Sequence, residues 1–448
     1  MSDLLSIGAS GVRAYQTALN TVGENIANTG VAGYTRRTTG LAEISATSSS
    51  INARYVTSGN GVAVTGIGRA ADMFKAASVR QSSSDLGRTE TGATWLDRIE
   101  SGLTEGGLSD KLTGFFTAAR TLSADPTSIP ARAVLIETAT STALGFQQTG
   151  TALDRAMTEL DATAQQATRT LNVLGTQLAA INDGLGRTSP NGATSAQLMD
   201  QRDQALEQMS ALSDMTVKID ELGRATVSLG GANGPLFVAG NVSGTASYRR
   251  SATGVASYLV QRTGTVATMS PTGGALAGIV DGAQRIAETR TSLNAIAADF
   301  TSQVNAVQAQ GRDLDGVAGQ PLFATGATPT DIDVVLTDPR GIAAASATGG
   351  TRDASNLAAL QGVRTTRNFE GRTTALITAN AAALDQKKQV ANAQNSILDG
   401  AVTARDAVSA VDLDSEAVEL LRFQQAYQAS ARVIQVARET MQSILEIR

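Results

Sequence analysis

Both ends of this 448-residue chain carry amphipathic helix patterns with an apolar seam, and several hundred residues lie between them. Near the N-terminus Val12, Tyr15, Leu19, Val22 and Ile26 recur at alternating steps of three and four, the spacing that keeps one apolar line on a supercoiled helix. Near the C-terminus Leu420, Phe423, Tyr427, Ile434, Ala437, Met441 and Ile444 hold the same register, with Ser430 its one polar member. Isolated helices of this length are marginal in water and gain most of their stability from a packed face. The two seams therefore require each other or neighbouring copies, and the middle of the chain must fold so that its ends meet.

Composition narrows the class. The length allows about three domains, and 42% hydrophobic residues suffice for real cores. Aromatics are only 4%, so helix seams of small and aliphatic side chains are expected. A net charge of −5 with pI near 5.1 argues against a nucleic-acid surface, which needs clustered Lys and Arg. Cys and His are both absent, which removes imidazole bases, thiol nucleophiles, the usual metal ligands and disulfides together. No stretch approaches the roughly 18 apolar residues of a membrane-spanning helix, and the first residues lack a cleavable signal pattern. A soluble protein is expected, cytosolic unless a specialised exporter reads the N-terminus uncleaved.

Helical pattern runs from Leu4 to Asn28 and stops at Thr29-Gly30-Val31-Ala32-Gly33, where two glycines allow a turn. Tyr34 to Gly68 reads as extended chain with a short strand at Val62–Val64. Helix returns near Asp72 and continues with breaks to Leu185, Pro130 suiting the first turn of a long helix. Another helix spans Thr194 to Leu212, and β-branched runs between Gly-rich turns follow from Val217 to Met269. Helix resumes over Leu276–Val307, and Asp331–Leu336 is extended. The tail is helical from Thr373, interrupted around Ser409–Asp414. The prediction is a mainly α fold with an inserted small β domain: long antiparallel helices, terminal helices pairing as a coiled coil, and a nested, multidomain, rod-like subunit. Residues 1–70 and 405–448 form the terminal domain, 71–215 and 275–404 the long-helix domain, and 216–274 the β-rich outer domain, with the terminal helices innermost.

Gly66-Ile67-Gly68-Arg69-Ala70-Ala71 has the form of a dinucleotide fingerprint, but no parallel βαβ unit follows it; it reads as a turn joining strand to helix. Asp313-Leu314-Asp315-Gly316 and Asp412-Leu413-Asp414-Ser415-Glu416 are fragments of a calcium loop without the completing ligands, and the second reads as a helix start capped by Asp414. Neither a nucleophile elbow nor a P-loop is present. A converging carboxylate pair of glycosidase type stays open, because acids far apart in sequence can meet in space. No cofactor or metal is expected.

Asn25-Ile26-Ala27-Asn28-Thr29-Gly30-Val31-Ala32-Gly33-Tyr34-Thr35-Arg36 resembles the N-terminal signature of the axial proteins of the bacterial flagellum. Gly61–Val64 through Arg69, Asp72, Phe74 and Arg80, the helix at Leu108–Leu112 with Phe115-Phe116, and Leu198-Met199-Asp200-Gln201-Arg202-Asp203 narrow the likeness. With Asp412–Glu416 and the run Leu421–Ala429, which contains Gln424 and Gln425, they are similar to the hook-associated protein 1 family.

That resemblance implies a structural, non-enzymatic subunit at the hook-filament junction, polymerising on the hook tip and connecting it to the filament. It implies an inner-tube interface at Val12, Tyr15, Leu19, Val22, Ile26, Leu420, Phe423, Tyr427, Ile434, Met441 and Ile444, and signature residues at Asn25, Asn28, Gly33, Tyr34, Asp200, Arg202, Asp203, Gln424 and Gln425. Implied partners are further copies of the chain, the hook protein, the second junction protein, the flagellar type III export apparatus and a cytosolic chaperone on Leu420, Phe423, Tyr427 and Ile434. Nucleic acid and membrane insertion are not among them. The implied location is extracellular, reached without a cleaved signal. The alternatives are a hook or rod subunit, and a wall hydrolase carried on the axial structure.

Overall fold

The computed structural model describes residues 2–44, 60–231 and 233–446. Helix α1 (Ser2–Ala27) leads through a loop to an antiparallel hairpin, β1 (Arg37–Glu43) with β2 (Val62–Arg69). The extended segment expected over 34–68 is this hairpin, except that 45–59 lie outside the described residues. Three helices follow, α2 (Met73–Glu105), α3 (Leu108–Ala124) and α4 (Ile129–Arg187), then α5 (Ala193–Leu212). Asp72 caps α2 by accepting from the Phe74 and Lys75 amides, and Ser128 caps α4 with Pro130 in its first turn, where a missing N–H costs nothing. At 1.5 Å per residue, α4 forms a spine about 88 Å long.

The β region is two antiparallel sheets, β3 (Met215–Ile219), β4 (Ala225–Leu229), β5 (Leu236–Ala239) and β6 (Val242–Ser243), then β7 (Thr245–Arg250), β8 (Ala256–Arg262) and β9 (Thr265–Met269). Helix α6 (Gly274–Gln310) returns to the bundle. The next stretch holds two-stranded pairs, β10 (Gly311–Arg312) with β13 (Ala345–Ser346) and β11 (Phe323–Thr325) with β12 (Ile332–Val334). The chain ends with α7 (Ser355–Arg367), which the sequence pattern did not suggest, α8 (Phe369–Ser409) and α9 (Leu413–Glu446).

Close helix packing follows from small residues. A Cβ on Gly282 would stand 2.5 Å from Trp95 Cδ1, and one on Gly278 would stand 2.6 Å from the Arg88 carbonyl, so α6 can lie directly on α2. Buried threonines inside α4 return their hydroxyls to their own helix, Thr142 to the Thr138 carbonyl (2.8 Å), Thr149 to Gly145 (2.9 Å) and Thr168 to Ala164 (2.7 Å). That satisfies a polar group which would otherwise be costly inside a core.

Few aromatics did not mean aliphatic cores throughout. Phe115, Phe116, Phe146, Phe300, Phe323 and Phe369 gather in one cluster, with Phe115 and Phe300 edge to face at 5.4 Å and Phe300 and Phe369 at 5.5 Å. The nesting also differs from expectation. Helix α1 packs on α9, β1 and β2 rather than among the long helices, so within one chain the terminal pair projects from the end of the bundle.

Asparagines fasten the sheets to the helices. Asn182, fully buried on α4, donates to the Ala225 and Gly240 carbonyls (2.8 and 2.9 Å) and accepts from the Ala225 amide at 2.8 Å. Ten residues earlier Asn172 pairs in the same way with the amide and carbonyl of Ala246. Each amide side chain thereby acts as one residue of an extra strand. Replacing Asn182 by Ala leaves three backbone groups unpaired, so Asn182→Ala should destabilise the protein by about 2–4 kcal/mol. The check is urea unfolding monitored by circular dichroism.

Candidate functional site: a polar clasp between the chain ends

Helices α1 and α9 run antiparallel. Gly8 faces Ile434 and Ser430, Gly11 faces Ser430, and the Tyr15 and Phe423 rings lie 6.3 Å apart. The buried line of α1 is Gly8, Gly11, Ala14, Ala18, Thr21, Val22 and Asn25. Of the N-terminal seam only Val22 sits on it; Val12, Tyr15, Leu19 and Ile26 flank it, half-buried. A Cβ on Gly8 would stand 2.6 Å from Ile434 Cγ1, and one on Gly11 2.5 Å from Ser430 Oγ. The glycines thus set the helix separation, and the large residues close the rim.

On α9 the seam residues Leu420, Phe423, Tyr427, Ser430 and Ile434 are half-buried and Ala437 is buried, whereas Met441 and Ile444 are exposed. The antiparallel register explains the difference. With Gly8 opposite Ile434, the last two turns of α9 run past the start of α1, and Met441 and Ile444 stay exposed among the described residues.

Where the pair meets the bundle, the signature residues converge. Two positive-φ glycines, Gly30 (φ 79°) and Gly33 (φ 80°), fold the loop after α1 back on itself. Asn25, buried to 1% exposure, then uses its whole amide: Nδ2 donates to the Arg37 carbonyl (2.8 Å) and to Glu416 Oε2 (2.9 Å), while Oδ1 accepts from the Tyr34 hydroxyl (2.8 Å) and the Arg37 amide (3.0 Å). Glu416, also 1% exposed, accepts from Arg36 Nε at 2.6 Å. Burial raises the Tyr34 phenol above its usual value, with Arg37 pulling the other way; the hydroxyl stays a donor.

A second layer ties this knot to α5. Asp200 Oδ1 accepts from Thr35 Oγ1 (2.5 Å) and Arg69 Nε (2.8 Å), Asp200 Oδ2 lies 3.4 Å from Arg37, and Arg69 reaches Asp203 at 2.8 Å. Arg202 holds Asp203 at 2.6 Å and donates to the Gly223 carbonyl, linking α5 to the β region. The Arg36 amide donates to the Ser409 carbonyl at the end of α8 (2.8 Å). Asn28 bonds back to the Glu24 carbonyl, and Gln424 and Gln425 are exposed on α9.

Two motif readings resolve here. Gly66 of the G-x-G-x-x-A run has φ 152°, and a Cβ there would stand 2.5 Å from Asn191 Cβ. It lets the hairpin lie on the α4–α5 turn, where the Ile67 amide donates to the Asn191 carbonyl at 2.7 Å. The cap of α9 is Asp412 rather than Asp414: Asp412 accepts from the Asp414 amide and the Ser415 hydroxyl, both at 3.0 Å. The helix begins earlier than read, which places Glu416 in the first turn facing inward. Asp313 likewise spends its carboxylate on the Asp315 and Val317 amides, a turn rather than a ligand loop.

Beside the clasp a cavity of about 670 Å³ separates the loop after α1 from α2, α5 and the end of α8. Arg80 and Arg405 line it; burial lowers the Arg80 pKa against the pull of Asp203. The terminal pair therefore joins the bundle through named polar links rather than a continuous apolar core. Sequence reasoning missed Arg36, Arg37 and Glu416 as its centre, although all three stand inside or beside quoted signatures. Glu416→Ala strands Arg36 and Asn25 and should weaken the attachment of α9 by about 2 kcal/mol. Hydrogen exchange should rise in α9 and in 36–43 while α6 is unchanged; an unchanged α9 would mean that the glycine seam alone holds it.

Residues 94–323 match the family model described as the flagellar hook-associated protein FlgK helical domain, and residues 406–447 match that of the flagellar basal body rod FlgEFG protein C-terminal region. Flagellar hook-associated protein 1 of Salmonella typhimurium is 30% identical over 338 residues, which cover 73% of this chain and 60% of that protein. Flagellar hook-associated protein 1 of Bacillus subtilis is 24% identical over 485 residues, covering 96% and 95%. The structure of the flagellar hook junction protein FlgK from Burkholderia pseudomallei shares the fold with a TM-score of 0.65 at 15% identity, covering 74% of this chain and all of that one.

Proposed function

Because the chain belongs to the flagellar hook-associated protein 1 family, we propose that it is a structural, non-enzymatic subunit of the hook-filament junction. It polymerises on the hook tip through its terminal helices and connects the hook to the filament. The observation that carries this reading is the set of large apolar side chains that α9 leaves exposed on its side away from α1, among exposed Gln425 and Arg432. Val418, Leu421 and Val436 are 59–66% exposed. Val418 and Val436 stand five full turns apart, whereas half-buried Tyr427, halfway between them, lies on the opposite side with Phe423 and Ser430, which face α1. Large apolar side chains left exposed on a helix whose other side is already paired, with nothing among the described residues covering them, favour contacts with neighbours.

In this reading residues 1–70 and 405–448 form the polymerising unit, 71–215 and 275–404 the long-helix domain and 216–274 the outer β domain. Val12, Tyr15, Leu19, Ile26, Met441 and Ile444 stand at the rim and free end of the α1–α9 pair, where contacts with neighbouring copies would form. Partners are the hook protein below and the second junction protein above. A cytosolic chaperone would cover Leu420, Phe423, Tyr427 and Ile434 before assembly, competing with α1 for one stripe. The flagellar type III apparatus would export the chain uncleaved to the cell exterior; with no cysteine, no disulfide opposes unfolding for passage.

The test is deletion of the gene, with electron microscopy of the cells and assay of flagellin in the medium. Bare hooks with monomeric flagellin released are expected. Loss of hooks would move the subunit to hook or rod, and normal filaments would overturn the junction role. Val418→Asp combined with Leu421→Asp should cut filament-bearing cells at least tenfold while the purified monomer keeps its melting temperature, since both side chains are exposed.

A further inference from the structure

Helix α8 lies against α2 along one side, where Asn380 Nδ2 donates to the Leu96 carbonyl at 2.8 Å and Lys387 extends over Gly92 toward Asp281 at 3.8 Å. Its opposite side is bare. Gln386, Val390, Ala393, Ile397, Gly400 and Ala404 recur at alternating steps of four and three, all exposed. This is the register of a coiled-coil seam. Val390, Ile397 and Val408 are 41%, 60% and 40% exposed. The charged residues of this stretch, Asp385, Lys387, Lys388, Asp399, Arg405 and Asp406, all lie off the seam. At its lower end Lys75 of α2 reaches the Ala404 carbonyl at 3.0 Å.

A solvated helix face normally carries charge, as α4 does outwardly with exposed Glu137, Arg155 and Arg169. Nothing among the described residues accounts for the small residues of the α8 seam either. A Cβ on Gly400 would meet no atom within 4 Å, although glycine is disfavoured inside a helix. The heptad register asks for another long helix there.

We infer that the outward face of α8 is a subunit contact, covered in the assembled polymer by another copy of this chain; the inference rests on the polymer reading above. Area argues for the occupant. From Ala379 to Val408 the seam is about 45 Å long, and a helix about 10 Å wide gives a footprint of about 450 Å². That is roughly half of the ~800 Å² per partner of a stable pair, so the contact does not hold two free molecules together. It suits a neighbour already tethered by other contacts, as every copy in a polymer is. Charge argues the same way, since two chains of net charge −5 approach with least repulsion across an uncharged face. Copies that share one polarity meet heterologously, so the seam of one subunit meets a different face of the next.

The chain has no cysteine, so Ile397→Cys supplies a single thiol for a benzophenone maleimide. Irradiation of assembled hook-filament structures should give a product containing two copies of this chain, absent from the monomer at equal concentration. A product with a different protein only, or no product, overturns the inference. Ile397→Glu in cells lacking the native gene should reduce filament-bearing cells more than tenfold with the monomer's circular dichroism and melting temperature unchanged; undiminished filaments overturn it. The two readings fail separately. Normal filaments in the deletion strain sink the polymer reading, whereas bare hooks in the deletion strain with a silent Ile397→Glu sink the α8 contact alone.

Discussion

One buried carboxylate holds the two ends of this molecule to each other, and the arginines beside it carry the links to the middle. Glu416, in the first turn of α9, sits between Arg36 and Asn25, residues 380 and 391 positions away in sequence. A charge at 1% exposure is tolerated only where donors converge on it. That condition fixes a great deal at once. The loop after α1 must turn back at Gly30 and Gly33, the hairpin must present Arg36 and Arg37 on one side, and α8 must end at Ser409 to receive the Arg36 amide. The long bundle can then be read as the device that returns the chain to within hydrogen-bond distance of its own start.

Directional links suit that place better than apolar packing would. A hydrophobic junction tolerates many orientations, because its energy depends on area and not on angle. The four hydrogen bonds of Asn25 and the forked contacts of Arg69 and Arg202 admit one geometry. In the proposed polymer the terminal unit and the bundle would have to stand at a set angle, and there specificity of orientation would matter more than raw stability. The adjoining cavity fits the same picture, since it leaves the polar links as the main mechanical connection on that side.

Much of the fold was legible because it is written in periodicity. The long helices, the β insertion over 215–269 and the break near 410 follow from apolar spacing and from Gly and Pro. What escaped was written in single side chains. An asparagine that mimics a strand residue, as Asn172 and Asn182 do, looks in sequence like any polar residue on a helix. The terminal seam was partly misplaced for a related reason: periodicity weighs large apolar residues, whereas the closest approach of α1 to α9 is set by Gly8 and Gly11. Most members of the clasp were visible as motif letters, Arg37 being the next residue after one, but the pairing of Arg36 with Glu416 was not, because nothing local in the sequence ties one to the other.

The contrast between the two ends of the molecule follows from the same inventory. The bundle pools six of the nine phenylalanines into one buried cluster, and large side chains contribute most of the transfer free energy on burial. The terminal pair buries chiefly glycine, alanine, threonine and one valine on the α1 side, which return far less area per ordered residue. Its apolar surface is instead left on the outside, at Val418, Leu421, Val436 and Ile444. A unit built this way gains little from burial in the single chain and would gain most if the proposed neighbours covered those side chains. The bundle needs no such help. Folding of the middle and ordering of the ends are thus separated by composition, and the proposed assembly could act on the second without disturbing the first.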